Sequence, residues 1–204
     1  MARIDEAKDL ERVEQLVFAP HGLALKPFTQ AQLRTGRTPD FQVFKNGQHV
    51  AYCEVKSPRD DRLDDLLDAA SPGTIVGYGG NDPTFNRLAR HIQKAASQFD
   101  AVDPKRQLPR ILAIVNHDEK SGVLDLLEAL TGKLYCEGGV TVPSMMHIAR
   151  GRLRGVQYRI DLYVMINEHA PRVVSNVFTQ DNQGHFRTLC ALLGADAAKI
   201  TQLG

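Results

Sequence analysis

Apolar positions recur at helical spacing over residues 5–18, where Leu10, Val13 and Val17 share one face and predict an amphipathic helix ending before Pro20 and Gly22. Strand-length runs follow at 23–28, 41–44 and 48–56, the last two separated by Asn46 and Gly47, a hairpin signal. Residues 84–99 carry Phe85, Leu88, Ala89, Ile92, Ala96 and Phe99 on one helical face and Arg87, His91, Lys94 and Gln98 on the other. Asp82 and Pro83 supply a cap and first turn for that helix. The unbroken apolar run 111–115 suits a strand covered on both faces. A helix over 121–130, strands over 158–166 and 172–178, and a closing helix over 185–193 complete the expectation. The acidic stretch 60–68 reads as solvated, and the segment 71–83 as a loop rich in Gly and Pro. This order predicts one α/β domain spanning 1–204, with a central mixed sheet flanked by helices, a core over about 5–115 and a C-terminal α/β extension over about 116–204.

Turn chemistry decides where the polar residues of the hairpin fall. A two-residue turn at Asn46 and Gly47 would set Asp40 opposite Cys53 and send Glu54 to the other face. A three-residue loop, Lys45 to Gly47 with Gly47 left-handed, pairs Phe44 with Gln48 and Asp40 with Tyr52, so that Asp40, Glu54 and Lys56 share one face. The apolar pattern selects this second parity, because Phe41, Val43, Ala51, Cys53 and Val55 then line the opposite, core-facing side. Two carboxylates and an ammonium on one face are costly unless they have a task, and a divalent cation would neutralise the acids while holding phosphate oxygens. Asp40 and Glu54 are hard oxygen ligands, the Val55 carbonyl is a third, and Lys56 is suited to attend a water and offset charge on a phosphorane.

Pro39-Asp40 followed by Glu54-Val55-Lys56, each in a hydrophobic strand context, resembles the PD-(D/E)xK nuclease superfamily over about residues 5–115. The resemblance implies an αβββαβ restriction-endonuclease-like core, a Mg²⁺-dependent endonuclease-like phosphodiesterase activity with Mn²⁺ as a substitute, and a nucleic-acid substrate, DNA rather than RNA. It also implies an acid from the first helix, for which Glu14 is preferred over Glu11 because Glu14 lies between Leu10 and Val17. A Gln from the helix after the lysine maps to Gln93, with Ser97 where some branches carry an aromatic. Paired active sites in that superfamily imply a homodimer. The competing expectation is a catalytically silent nucleic-acid-binding or assembly module on the same fold.

Composition narrows the alternatives. The 25 Lys and Arg against 24 Asp and Glu leave no global charge to attract a polyanion, so any basic surface is local. Arg150, Arg152 and Arg154 form the densest basic run. Three cysteines without CxxC spacing argue against a disulfide framework or cysteine zinc site, and with no signal-peptide or membrane-length apolar run the expectation is a cytoplasmic protein without a membrane partner. Gly77, Gly79 and Gly80 lack the remainder of a dinucleotide fingerprint, and neither a phosphate-binding loop nor a nucleophile elbow is present. Asn116, His117 and Asp118 at a strand end read as a turn.

Overall fold

The computed structural model describes residues 6–34, 36–58, 70–71, 73, 83–118, 121–135, 140–143, 153–168, 170–180 and 183–203. The acidic stretch 60–68, Gly77, Gly79, Gly80, Asp82, Arg150, Arg152 and the side chain of Phe85 lie outside the described residues.

Helix α1 (Glu6–Val13) runs directly into a π-helical segment, Glu14–Phe18. Strand β1 (Leu23–Pro27), a short helix α2 (Gln30–Leu33) capped by Thr29, and strands β2 (Phe41–Lys45) and β3 (Gln48–Lys56) follow. Helix α3 (Pro83–Val102) leads to β4 (Arg110–Asn116) and α4 (Val123–Thr131). Strands β5 (Lys133–Tyr135) and β6 (Thr141–Pro143) form a separate two-stranded ribbon. The chain then adds β7 (Leu162–Asn167), β8 (Ala170–Phe178) and α5 (His185–Leu192). One six-stranded mixed sheet in the order β1-β2-β3-β4-β7-β8 organises these elements, with β3, β4 and β7 parallel and the outer pairs antiparallel. The expected α/β class with a central mixed sheet is therefore observed. Its β7 begins later than the apolar alternation suggested, because Gln157–Arg159 form a turn of 3-10 helix first.

Both faces of the sheet are covered. On one, Val13, Val17 and Phe18 pack with Val43, Ala51, Cys53, Val55, Ala113 and the α5 residues Leu189 and Cys190. On the other, Leu88, Ile92, Ala96 and Phe99 of α3 and Leu126 of α4 pack on Leu112, Ile114, Tyr163 and Met165. The central strand β4 is buried at every position, which explains its unbroken apolar run.

The hairpin departs from the expected loop. Lys45 pairs with Gln48 across a two-residue turn, in which Asn46 and Gly47 both have positive φ, 50° and 81°. That is the twist-matched I′ geometry which Asn-Gly favours. The extra residue sits instead inside β3: the register slips between Val43 and Phe44, so that Phe44 faces His49 while Val43 faces Ala51. Val50 is the inserted residue, and Val50 and Ala51 both contact the same core layer. The bulge restores the parity that burial of Val43, Cys53 and Val55 demands, leaving the turn free to adopt its preferred form.

Candidate active site

Beyond the paired residues Phe41 and Cys53, Asp40 stands opposite Glu54. Each acid holds the other's strand. The Asp40 N–H donates to Glu54 Oε2 at 2.9 Å, and the Val55 N–H donates to Asp40 Oδ2 at 2.8 Å. Lys56 Nζ donates to the remaining oxygen, Glu54 Oε1. Glu54 alternates with the core residues Cys53 and Val55 and thus emerges beneath α3, where Gln98 lies near enough to favour its ionised form. Gln98 Nε2 donates to the Thr38 carbonyl at 2.8 Å, tying α3 to the segment that leads into Asp40.

Burial governs the electrostatics. Glu54 is fully buried, and desolvation followed by the neighbouring Asp40 carboxylate raises its pKa to about 7, against the opposing pull of Lys56 and Gln98. The polar side of α3 contributes positive potential: burial, then Lys56, Arg90, Arg87 and Lys94, lower the His91 pKa to about 4. His91 of this face thus lies within electrostatic reach of Lys56, whereas Arg87 pairs with Asp118 at 3.6 Å.

No family model, curated protein or solved structure matches the chain.

Two of the residues singled out from sequence lie elsewhere. Glu14 is exposed, on a helix that packs against the opposite face of the sheet from Glu54. The buried face of α1 runs through Asp9, Val13 and Val17, a rotation away from the Leu10–Glu14 side, and the widened π turn from Glu14 continues it into Phe18. Its buried acid is Asp9, which meets His117 Nε2 at 2.6 Å, while His117 Nδ1 meets Glu168 Oε2 at 2.5 Å. Gln93 is likewise exposed; the glutamine at the acids is Gln98, five residues on and therefore roughly 140° around the helix. Its membership of the polar stripe with Arg87, His91 and Lys94 was the available signal. The Asn116 side chain closes the following turn onto the Asp118 and Ser121 carbonyls, as a strand-end turn should.

Among the described residues no group of three His, Cys, Asp or Glu side chains could hold a metal ion. Asp40 and Glu54 form a two-carboxylate set, and the Val55 carbonyl points to the same strand edge as its N–H, toward Asp40. This suits Mg²⁺, which binds through one or two carboxylates and fills its other positions with water and phosphate oxygens. The elevated Glu54 pKa fits as well, since a cation would relieve the repulsion between the acids.

A pH dependence follows. Because the folded protein binds the Glu54 proton more tightly than the unfolded chain, metal-free stability should fall as pH rises from about 4.5 to about 7. The loss is roughly 3 kcal/mol. Urea unfolding at intervals across this range, for wild type and Glu54→Gln, measures it. The variant should lack this component, and identical slopes for the two proteins would exclude it.

Proposed function

We propose that the chain is a metal-dependent phosphodiesterase that hydrolyses nucleic acid, DNA rather than RNA, by a PD-(D/E)xK mechanism. One observation carries the reading: Asp40 and Glu54 are locked side by side, with Lys56 on Glu54, at the end of β3 and under the polar side of α3. The order α1, β1, β2, β3, α3, β4 supports it, since it follows a restriction-endonuclease-like αβββαβ core, with α2 as an insertion. Asp40, Glu54 and the Val55 carbonyl would hold Mg²⁺. When bound, the ion neutralises the acids and polarises a phosphate oxygen. Lys56 offers its ammonium to the attacking water and to the oxygen on which charge grows, and the Asp40 N–H keeps Glu54 oriented toward the strand edge.

Thermal unfolding with and without millimolar Mg²⁺ or Mn²⁺, alongside cleavage of labelled single- and double-stranded substrates, tests the proposal. A ligand that binds only the folded state raises the melting temperature, by about 2.7 kcal/mol of stability at a hundredfold excess over Kd. Wild type should gain this and Asp40→Asn should not. An unchanged melting curve together with no cleavage would remove the phosphodiesterase reading and leave a silent binding module.

A further inference from the structure

A groove of about 280 Å³ opens beside the acids, lined by Phe28, Arg37, Thr38, Gln42, Tyr52 and the α3 residues Ala101 and Val102 among others. Its wall is shared with the site. The Thr38 carbonyl accepts from Gln98, a side chain that also influences Glu54, and Ala101 and Val102 lie one helical turn beyond Gln98. Gln42 and Tyr52 are a cross-strand pair placed two residues from Asp40 and Glu54 on the same strands, hence on the same sheet face and about 7 Å along it.

Aromatic rings furnish this face. Tyr52 lies nearly parallel to Phe28, with centroids 6.2 Å apart and planes at 12°, and His49 meets Tyr52 edge-on at 4.6 Å. Phe44 stacks on His49 at 5.3 Å, and Lys26 Nζ sits 4.5 Å above the Phe44 ring. Tyr52, Phe44 and His49 are each partly exposed, and Lys26 and Arg37 are exposed. The part-exposed Tyr52 ring in the groove wall, with the Gln42 amide and the exposed Arg37 beside it, matches what a nucleobase needs: a π surface, a hydrogen-bonding partner and positive charge for its phosphate. The volume, just under the roughly 300–1,000 Å³ that small-molecule sites span, matches a single base. Farther along α3, toward its N-terminus, Lys94 adds a positive charge near His91.

We propose that the groove receives one unstacked base of a single-stranded nucleic acid, against Tyr52, with the adjoining phosphate over Asp40 and Glu54. The placement of the phosphate rests on the phosphodiesterase reading; the base site stands on the rings and the groove. Single-stranded substrates, or strands locally opened, are then the preferred class.

The test is binding to the full chain in Ca²⁺, which supports binding with little turnover, using three DNA probes of equal length: a single strand containing 2-aminopurine, the same strand fully abasic, and the duplex. Base–aromatic stacking predicts that the single strand binds about tenfold or more tightly than the abasic strand, with quenched 2-aminopurine fluorescence, and more tightly than the duplex. Tyr52→Phe should keep the preference and Tyr52→Ala should lose it. Arg37→Ala should weaken the intact and abasic strands alike and reduce the salt dependence by about one phosphate contact. Should Tyr52→Ala fail to fold, the wild-type comparison of intact and abasic strands still decides. Equal affinity for those two strands, or unquenched fluorescence on binding, overturns the inference. Base-dependent binding without metal-dependent cleavage would retain the groove and remove the phosphodiesterase reading, whereas cleavage with base-independent binding would do the reverse.

Discussion

Lys56→Ala is expected to lower the cleavage rate at saturating Mg²⁺ and substrate by about a hundredfold or more, while sparing most metal and nucleic-acid binding. The ammonium carries no lone pair while charged and so cannot be a ligand; its place on Glu54 Oε1 puts it beside the acids. Removing one such preorganised donor from a transition state costs on the order of 3 to 4 kcal/mol. A second consequence follows from the same contact. Lys56 is a source of stabilisation for ionised Glu54, so without it the Glu54 pKa should rise above about 7 and metal binding should demand a higher pH. Cleavage rates in Mg²⁺ are therefore to be read beside affinities in Ca²⁺ across pH. Wild-type turnover by Lys56→Ala would place the chemistry outside this cluster or in a contaminant.

The acid cluster was legible because core burial and polar chemistry impose the same constraint on one hairpin. Val43, Cys53 and Val55 must face inward, so Glu54 and Lys56 must face the other way, whichever turn connects the strands. How the chain meets that constraint was not legible. An odd loop and an even turn with a bulge give the same parity, and local preference for Asn-Gly decided between them only once the strand could absorb Val50. Helical faces were read with less success where a polar residue lies on the buried side. Asp9 and Gln98 are buried, whereas Glu14 and Gln93, each five residues away, are exposed. Hydrophobic periodicity finds the apolar stripe of a helix but does not say which polar residue at its border is drawn inside. Long-range polar partners such as His117 for Asp9 leave no mark on local spacing at all.

Arg110 is the clearest case of such a hidden partner, and its loss is expected to destabilise the fold strongly. It opens β4 immediately before the apolar run, and its side chain is fully buried. The guanidinium bonds Asp100 Oδ1 at 2.6 Å, the Arg159 carbonyl at 3.2 Å and the Asp103 carbonyl, while its backbone N–H donates to Asp161 Oδ2 at 2.9 Å. Asp161 in turn meets Arg106 at 2.8 Å and His185 at 3.2 Å, so one network joins the end of α3, the start of β4, the approach to β7 and α5. Desolvation lowers the Arg110 pKa and Arg106 adds to it, yet the surrounding acceptors keep the ion in place. Arg110→Ala would empty this volume and take the guanidinium donor from the Arg159 carbonyl, while the Asp103 carbonyl keeps the Arg106 N–H at 3.1 Å. Asp100 is part-exposed and keeps Arg159, so the loss comes from the buried guanidinium's packing and hydrogen bonds, about 3 kcal/mol. For a domain of this size that lowers the melting temperature by roughly 10 °C. Arg110→Lys should recover only part of the loss, because a single ammonium cannot reach three acceptors spread over a planar fork. Urea unfolding with an unchanged m-value provides the measurement, and a loss below about 1 kcal/mol for Arg110→Ala would mean that the network contributes little beyond what water supplies in its place.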